Sequence, residues 1–418
     1  MNFGKLSSTL AVLLLEDEIA GGKDIASACP SRPQTLLKNA NGKLETTVFV
    51  YCDENADFAH LPDAKFFTGD GKIRTARIKL EDIGALSDAA AVHYLSASMR
   101  LKSFDDLKAV KTSLQNFKAA HPELLGGDII FGIIGAGVNV ADAAVAGRVL
   151  RIWDQTRAGN ASGAVKYGKL LTGAALAGSS DADGLGTETA KTVVEVFPAE
   201  AKFIAVKTDF QTARIADGIR YIFDEAKKAG KPAVVVLNFD GRLGTPDQTD
   251  DLSAFTELLK GDKRFVVSAS KNNAGSKNHL TATFAPNNNF TQKFRFNAPS
   301  KSDPLRPPQI VLRGWFEASG KCEIYIRTPL GFTANSKQKT FPSGNPTRYR
   351  SYGNNEAFLS EPLESNFKLK REFMIDVRGA LPDLIIPGGA WEITVKNVGS
   401  AAVNISLFSW VPEKKQRY

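Results

Sequence analysis

Gly132-Ile-Ile-Gly-Ala-Gly-Val-Asn139 closes a nearly continuous apolar run that begins at Asp128. A run too apolar to alternate, and stopped by glycine, is the pattern of a strand buried on both faces of a parallel sheet. Helical and strand patterns then take turns. Helices are predicted over 189–195, 214–229 and 251–260, and strands over 202–206, 233–238 and 265–269. Strands separated by helices predict a doubly wound parallel sheet with flanking helices. The glycines at 132–137 do not make a dinucleotide loop. They lack the Gly-x-Gly-x-x-Gly spacing and an acidic residue at the right distance.

Upstream, the pattern is β-α-β-β-α-β. Strands are predicted over 47–52, 64–68, 73–80 and 91–96, with short helices over 57–61 and 81–87. That order is the ferredoxin-like motif. Downstream of residue 280, helical periodicity stops. Short alternating segments at 290–296, 309–317, 322–328, 373–377, 391–396 and 404–410 predict an antiparallel β-sandwich or jelly roll. The expected division is a helical segment (1–43), a ferredoxin-like α+β domain (44–103), a linker (104–124) that is helical and Lys-rich over 104–122, an α/β domain (125–283) and a sandwich domain (284–418).

A chain of 418 residues can bury several cores. Its net charge of +8 is spread along the sequence, so neither nucleic acid nor a membrane surface is expected as a partner. Cys29, Cys52 and Cys322 are sparse, odd in number and without metal-ligand spacing, which predicts reduced thiols. Leu10–Leu15 is too short for a signal peptide and is followed by Glu16-Asp-Glu18, the wrong flank. A cytoplasmic protein without a cofactor is expected.

Two separated segments carry a resemblance. Gly132–Asn139 is similar to Gly-Ile-Ile-Asp-Thr-Gly-Ile-Asp, and Gly184-Leu-Gly-Thr-Glu-Thr-Ala190 to Gly-His-Gly-Thr-His-Val-Ala. Both are signatures of the subtilisin-like serine proteases (subtilases). Residues 198–207, 217–232 and 265–273 resemble, in order, the strand, helix and strand that follow in that family. Trp153-Asp-Gln-Thr156 and Pro387-Gly-Gly-Ala-Trp-Glu-Ile-Thr394 resemble a bacterial subgroup with an inserted jelly roll. The resemblance implies a propeptide-type ferredoxin-like domain, a subtilisin-like parallel sheet, incomplete here, and a jelly roll.

The departures bear on activity. The aspartate position is Gly135 and the histidine position Leu185. The oxyanion asparagine falls within Ser270-Lys-Asn-Asn273, where Lys271 aligns best and Asn272 is the other register. The substrate-binding Ser-Leu-Gly strand aligns with Asn238-Phe239-Asp240. In the triad a histidine takes the serine proton and an aspartate orients the imidazole. Glycine orients nothing and leucine accepts no proton. The family's Gly-Thr-Ser-Met-Ala segment would follow the jelly roll, and the sequence reaches Tyr418 without it. The expectation is a catalytically inactive pseudoprotease that binds a protein, as inhibitor, chaperone or scaffold of an active subtilisin-like protease. Residues 98–122 would lie near a cleft, its own or the partner's. An incomplete sheet would expose an apolar face to a completing subunit or a second copy. The alternative is a structural or ligand-binding subunit that uses the jelly roll.

Other groups read as structural. His60, His93, His121 and His279 are scattered, and no metal site is expected. Asp247, Asp250 and Asp251 could offer oxygens to calcium but read as a capping loop. Asp181 and Asp183 read as helix N-terminal acids. Arg348-Tyr-Arg350 and Lys368-Leu-Lys-Arg371 read as exposed strand faces.

Overall fold

The computed structural model describes residues 1–11, 13–14, 36–39, 41–59, 61, 64–68, 70–103, 105–159, 165–240, 250–269, 279–296, 309–317, 319–329, 331, 333–335, 347–351, 355–360, 370–379 and 389–410. The first sheet holds β1 (Leu37–Lys38), β2 (Leu44–Cys52), β3 (Lys65–Phe66), β4 (Ile73–Lys79) and β5 (Val92–Ala97), with helix α1 (Ile83–Asp88) before β5. All pairings are antiparallel. β5 flanks β2, which flanks β4, which flanks β3, and β1 adds to the start of β2. That order is ferredoxin-like.

One expected helix is absent. The described residues of 57–61 form a turn, closed by the Leu61 N–H on the Phe58 carbonyl at 2.9 Å. The turn still gives Phe58 and Leu61 to the core of this sheet, which is also filled from the start of the chain. Residues 8–11 and 13–14 are helical, and Leu10, Ala11 and Leu14 pack against Val48, Val50 and Ile78.

After β6 (Lys102–Ser103) comes helix α2 (Leu107–Ala120), capped by Asp106, which accepts the Ala109 N–H at 3.1 Å. This stretch, read from sequence as a linker, is a packed layer. Val110 and Leu114 stand one helical turn apart and are fully buried against Ile129 and Phe131. The six-stranded sheet beneath holds β7 (Ile129–Gly135), β8 (Val149–Asp154), β9 (Lys169–Thr172), β10 (Ala201–Lys207), β11 (Ala233–Leu237) and, beyond the short β12 (Phe239–Asp240), β13 (Arg264–Ser268). Its order is β13-β11-β7-β10-β8-β9. It is parallel except for β9, which runs antiparallel on the edge.

Helices α3 (Leu185–Val196), α4 (Thr212–Lys228) and α5 (Asp251–Leu259) complete the layers. α2 and α3 cover one face, over Ile129, Phe131 and Ile133. α4 covers the other, over Ile130 and Ile134. The two-residue alternation of β7 thus feeds two cores, which is why its sequence is apolar throughout. β2 is two-faced as well. Val48, Val50 and Cys52 point to their own core, while Phe49 and Tyr51 meet Ala213 and Ala216 of α4 and Phe255 of α5. The first sheet is therefore docked on the α/β body.

The last part is a sandwich of β14 (His279–Phe284), β15 (Asn289–Phe296), β16 (Gln309–Glu317), β17 (Cys322–Arg327), β18 (Thr333–Asn335), β19 (Thr347–Ser351), β20 (Asn355–Ser360), β21 (Lys370–Gly379), β22 (Gly389–Asn397) and β23 (Val403–Trp410). One sheet runs β14-β23-β16-β21-β20-β19 and the other β15-β22-β17-β18, all antiparallel. First pairs with last, second with next to last, and so inward. This is a jelly roll with an added hairpin, β19–β20. Trp391, Ile393 and Val395 of β22 face Phe316 and Phe373 across the core. Among the described residues no helix is long and apolar enough to cross a membrane.

Candidate functional site

Open parallel sheets bind ligands beyond the carboxyl ends of their strands. Here that edge carries the ends of β7 and β11 and the N-terminus of α3. Gly135 is the last residue of β7, paired with Lys207, and its carbonyl accepts the Thr208 N–H at 2.9 Å. A Cβ at Gly135 would meet no atom within 4 Å, so the position is roomy but has no side chain. Two residues on, the backbone is crowded. A Cβ on Gly186 would overlap the Gly137 carbonyl oxygen, and one on Gly137, at φ 130°, the Ser180 carbonyl oxygen. Only glycine permits so close an approach. The two motifs, some fifty residues apart, are thus pressed together.

Leu185 opens α3, half-buried, with its N–H on Asp183 Oδ1 at 3.0 Å. Asp181 holds the helix start by accepting the Gly184 N–H at 3.2 Å, the Thr187 N–H at 2.8 Å and the Thr187 hydroxyl at 2.6 Å. Burial raises the Asp181 carboxyl above its ordinary value despite those donors. Thr187 Oγ1 in turn accepts the Asn139 N–H at 2.9 Å. Asn238, buried after β11, donates to Thr189 Oγ1 at 3.2 Å, which donates to the Leu185 carbonyl at 2.7 Å. This polar frame surrounds Gly135 and Leu185, although the buried Asn238 Oδ1 finds no hydrogen-bond partner among the described residues, and neither position carries an ionisable group.

The space in front of the frame is filled by the chain itself. β6 pairs antiparallel with β12, Ser103 opposite Phe239 and Lys102 opposite Asp240. On the other side the Leu101 N–H reaches the Phe210 carbonyl at 2.9 Å, and the Thr212 N–H the Met99 carbonyl at 2.7 Å. Residues 99–103 are therefore the middle strand of a three-stranded antiparallel arrangement. Leu101 packs into the apolar cluster that includes Phe239. The Ser103 hydroxyl donates to Asp183 Oδ2 at 2.9 Å, beside the N-terminus of α3. From there the chain passes on to Asp106 and α2.

The remaining positions fall as follows. Lys271 and Asn272 lie outside the described residues, as do His60, Asp247 and Cys29. His93 and His121 pair with Asp53 and Glu123, each at 2.9 Å. Cys52 and Cys322 are buried. Asp250 caps α5, accepting the Leu252 and Ser253 N–H groups at 3.1 Å each. Asp251 does something the sequence did not indicate. It accepts the Tyr51 hydroxyl and the Ser96 hydroxyl, both at 2.6 Å, across the docking face. Asp217 of α4 is its counterpart. It accepts the Tyr167 hydroxyl at 2.8 Å and the hydroxyl of Thr75 on β4. Burial pushes its carboxyl up to about 7, against those donors and the nearby Arg214 and Arg220.

No protein-family model and no curated protein matches the chain. Among solved structures it is similar to the CspB protease of Clostridium perfringens, with a TM-score of 0.54 and 14% identity over 73% of this chain and 68% of that one. The fold is subtilase-like. A lipase of Bacillus licheniformis, BlEst2 in propeptide form, is matched over 77% of this chain and 68% of that one at 8% identity, with a TM-score of 0.23. That likeness is too slight in shape to bear on the fold.

Proposed function

We propose that this chain is a subtilase-like pseudoprotease that works by binding a protein, an active subtilisin-like protease, as its scaffold or folding chaperone. The pairing of Lys102–Ser103 with Phe239–Asp240 carries the proposal. A cleft strand already paired with the chain's own tail has no free edge for a substrate backbone. Gly135 and Leu185 at the head of that cleft support the same reading, because neither can orient or move a proton. The tail's position also favours scaffold or chaperone over inhibitor. A segment held in its own cleft is not presented to another protease.

A second reading, ligand binding by the jelly roll, is favoured by a cavity of about 390 Å³ on its four-stranded sheet, lined by residues that include Tyr325, Arg327, Glu392 and Lys396. The test of the first reading has two parts. The purified chain should release no p-nitroaniline from subtilisin-type chromogenic peptides. Co-expressed with an active subtilisin-like protease of the same cell, it should raise that enzyme's folded yield. Turnover that persists through repurification overturns the pseudoprotease assignment. A yield and activity of the protease unchanged by the chain overturn the scaffold and chaperone role.

A further inference from the structure

The jelly roll has two outer faces, and they differ. On the six-stranded sheet, Arg313 and Trp315 of β16 and Met374 of β21 point away from the sandwich core yet are buried. Arg313 contacts the sulfur of Met99, at the entrance to the cleft segment, and the Thr9 hydroxyl lies 3.8 Å from the sulfur of Met374. That face is occupied by the rest of the molecule. The four-stranded sheet carries instead a cavity of about 390 Å³, floored by all four of its strands.

Every side chain lining this cavity is polar. A lipid chain or an apolar peptide anchor would find no Leu, Ile, Val or Met side chain there. The register fixes the layout. Tyr325 stands opposite Thr394, Arg327 opposite Glu392, and Lys396 between Glu323 and Asn289. Lys396 and Arg327 thus mark opposite ends of a slot about 13 Å long, by the strand rise of about 3.3 Å per residue. The phenol ring and the threonine hydroxyl lie between them.

The carboxylates are partly engaged. Glu392 is 3.7 Å from Lys293, and Glu323 accepts the Tyr325 hydroxyl at 2.6 Å. Arg327 and Lys396 form no ion pair among the described residues. Two spare cations at the ends of a row of hydroxyl, amide and phenol groups match a chain of hydroxylated rings that bears carboxylates at intervals. The carboxylate of Glu392, which lines the cavity, suits sugar hydroxyls. A single ring falls short of the stacked platform that single-stranded nucleic acid uses.

We propose that the outward face of the β15-β22-β17-β18 sheet binds an acidic polysaccharide of the uronic-acid type. It stands apart from the cleft and does not depend on the partner-binding reading. The full chain is run in native gels containing polygalacturonate, dextran or polyuridylate, each mobility referred to a polymer-free gel. Polygalacturonate should retard the chain and the other two should not. Arg327→Ala with Lys396→Ala, and separately Tyr325→Ala, should each weaken retardation about tenfold, a change of about 1.4 kcal/mol. Near-ultraviolet circular dichroism checks that each variant is folded, and Thr394→Val replaces any that is not. Absence of retardation by polygalacturonate, equal retardation by dextran or polyuridylate, or retardation undiminished in the folded variants overturns the proposal.

Discussion

The head of the cleft and the docking face of the ferredoxin-like domain lie on the same α/β body, yet they are built oppositely. At the head of the cleft, Gly135 leaves open space and Leu185 presents an alkyl group, so neither position has a side chain that can hold or move a proton. At the docking face, the half-buried Asp251 and the buried Asp217 accept hydroxyls from across the boundary. Asp251 takes Tyr51 and Ser96, and Asp217 takes Thr75. Buried carboxylates are tolerated only when such donors are supplied. These polar groups help hold the domain in place, and the tail that the domain delivers lies in the cleft. The hydroxyl of Tyr51 is itself held well above its ordinary pKa, first by burial and then by Asp251.

The comparison can be broken at the docking face first. Phe49 is fully buried there, with its ring 6.3 Å from that of Phe255. Phe49→Ala should cost about 3–5 kcal/mol in a urea unfolding series. It should also speed proteolysis within 99–106, because the tail is anchored by the domain. A loss under about 1 kcal/mol, with the tail still protected, would mean that apolar docking does not hold the domain.

A smaller effect concerns Asp217. Its folded carboxyl sits at about 7, above the ordinary carboxylate range. In the folded state it therefore keeps a proton that the unfolded chain releases on passing its ordinary pKa. The stability this contributes is complete below the ordinary range and is lost as pH rises through about 7. Asp217→Asn removes that dependence. Urea midpoints at pH 4.5, 6 and 7.5, conditions bracketing the shift, should show the wild type falling relative to the variant as pH rises. Parallel curves would place the Asp217 titration elsewhere.

Much of the architecture was legible in the sequence, for local reasons. The segments at 309–317 and 391–396 alternate with period two because one face of each packs in the sandwich core. The apolar run over 128–134 reads as a doubly buried strand because both faces of β7 (Ile129–Gly135) are covered. The failures have non-local causes. In place of the helix over 57–61 there is a turn, whose Phe58 and Leu61 share a core with Leu10, Ala11 and Leu14, some fifty positions earlier. The lysines of 107–120 disguise Val110 and Leu114, whose burial depends on a sheet later in the chain. The β6–β12 pairing spans two residues per strand, too few for any periodicity. Tyr51 and Asp251 are 200 residues apart, and neither has a local pattern that points to the other.

The smallest expected effect is the sharpest test of the emptied position. Gly135 has no positive φ, and a Cβ there touches nothing within 4 Å. Gly135→Ala should therefore be neutral, or stabilising by up to about 1 kcal/mol through the loss of unfolded-state freedom. The same change at Gly186 meets a carbonyl oxygen. Both glycines lie in the resembling motifs, but only one is needed to bring the backbones together. Paired thermal melts of the two variants separate these roles. A Gly135→Ala protein that unfolds as readily as Gly186→Ala would show that the space at the end of β7 is needed by the fold. It could then no longer be read as room left by an absent carboxylate.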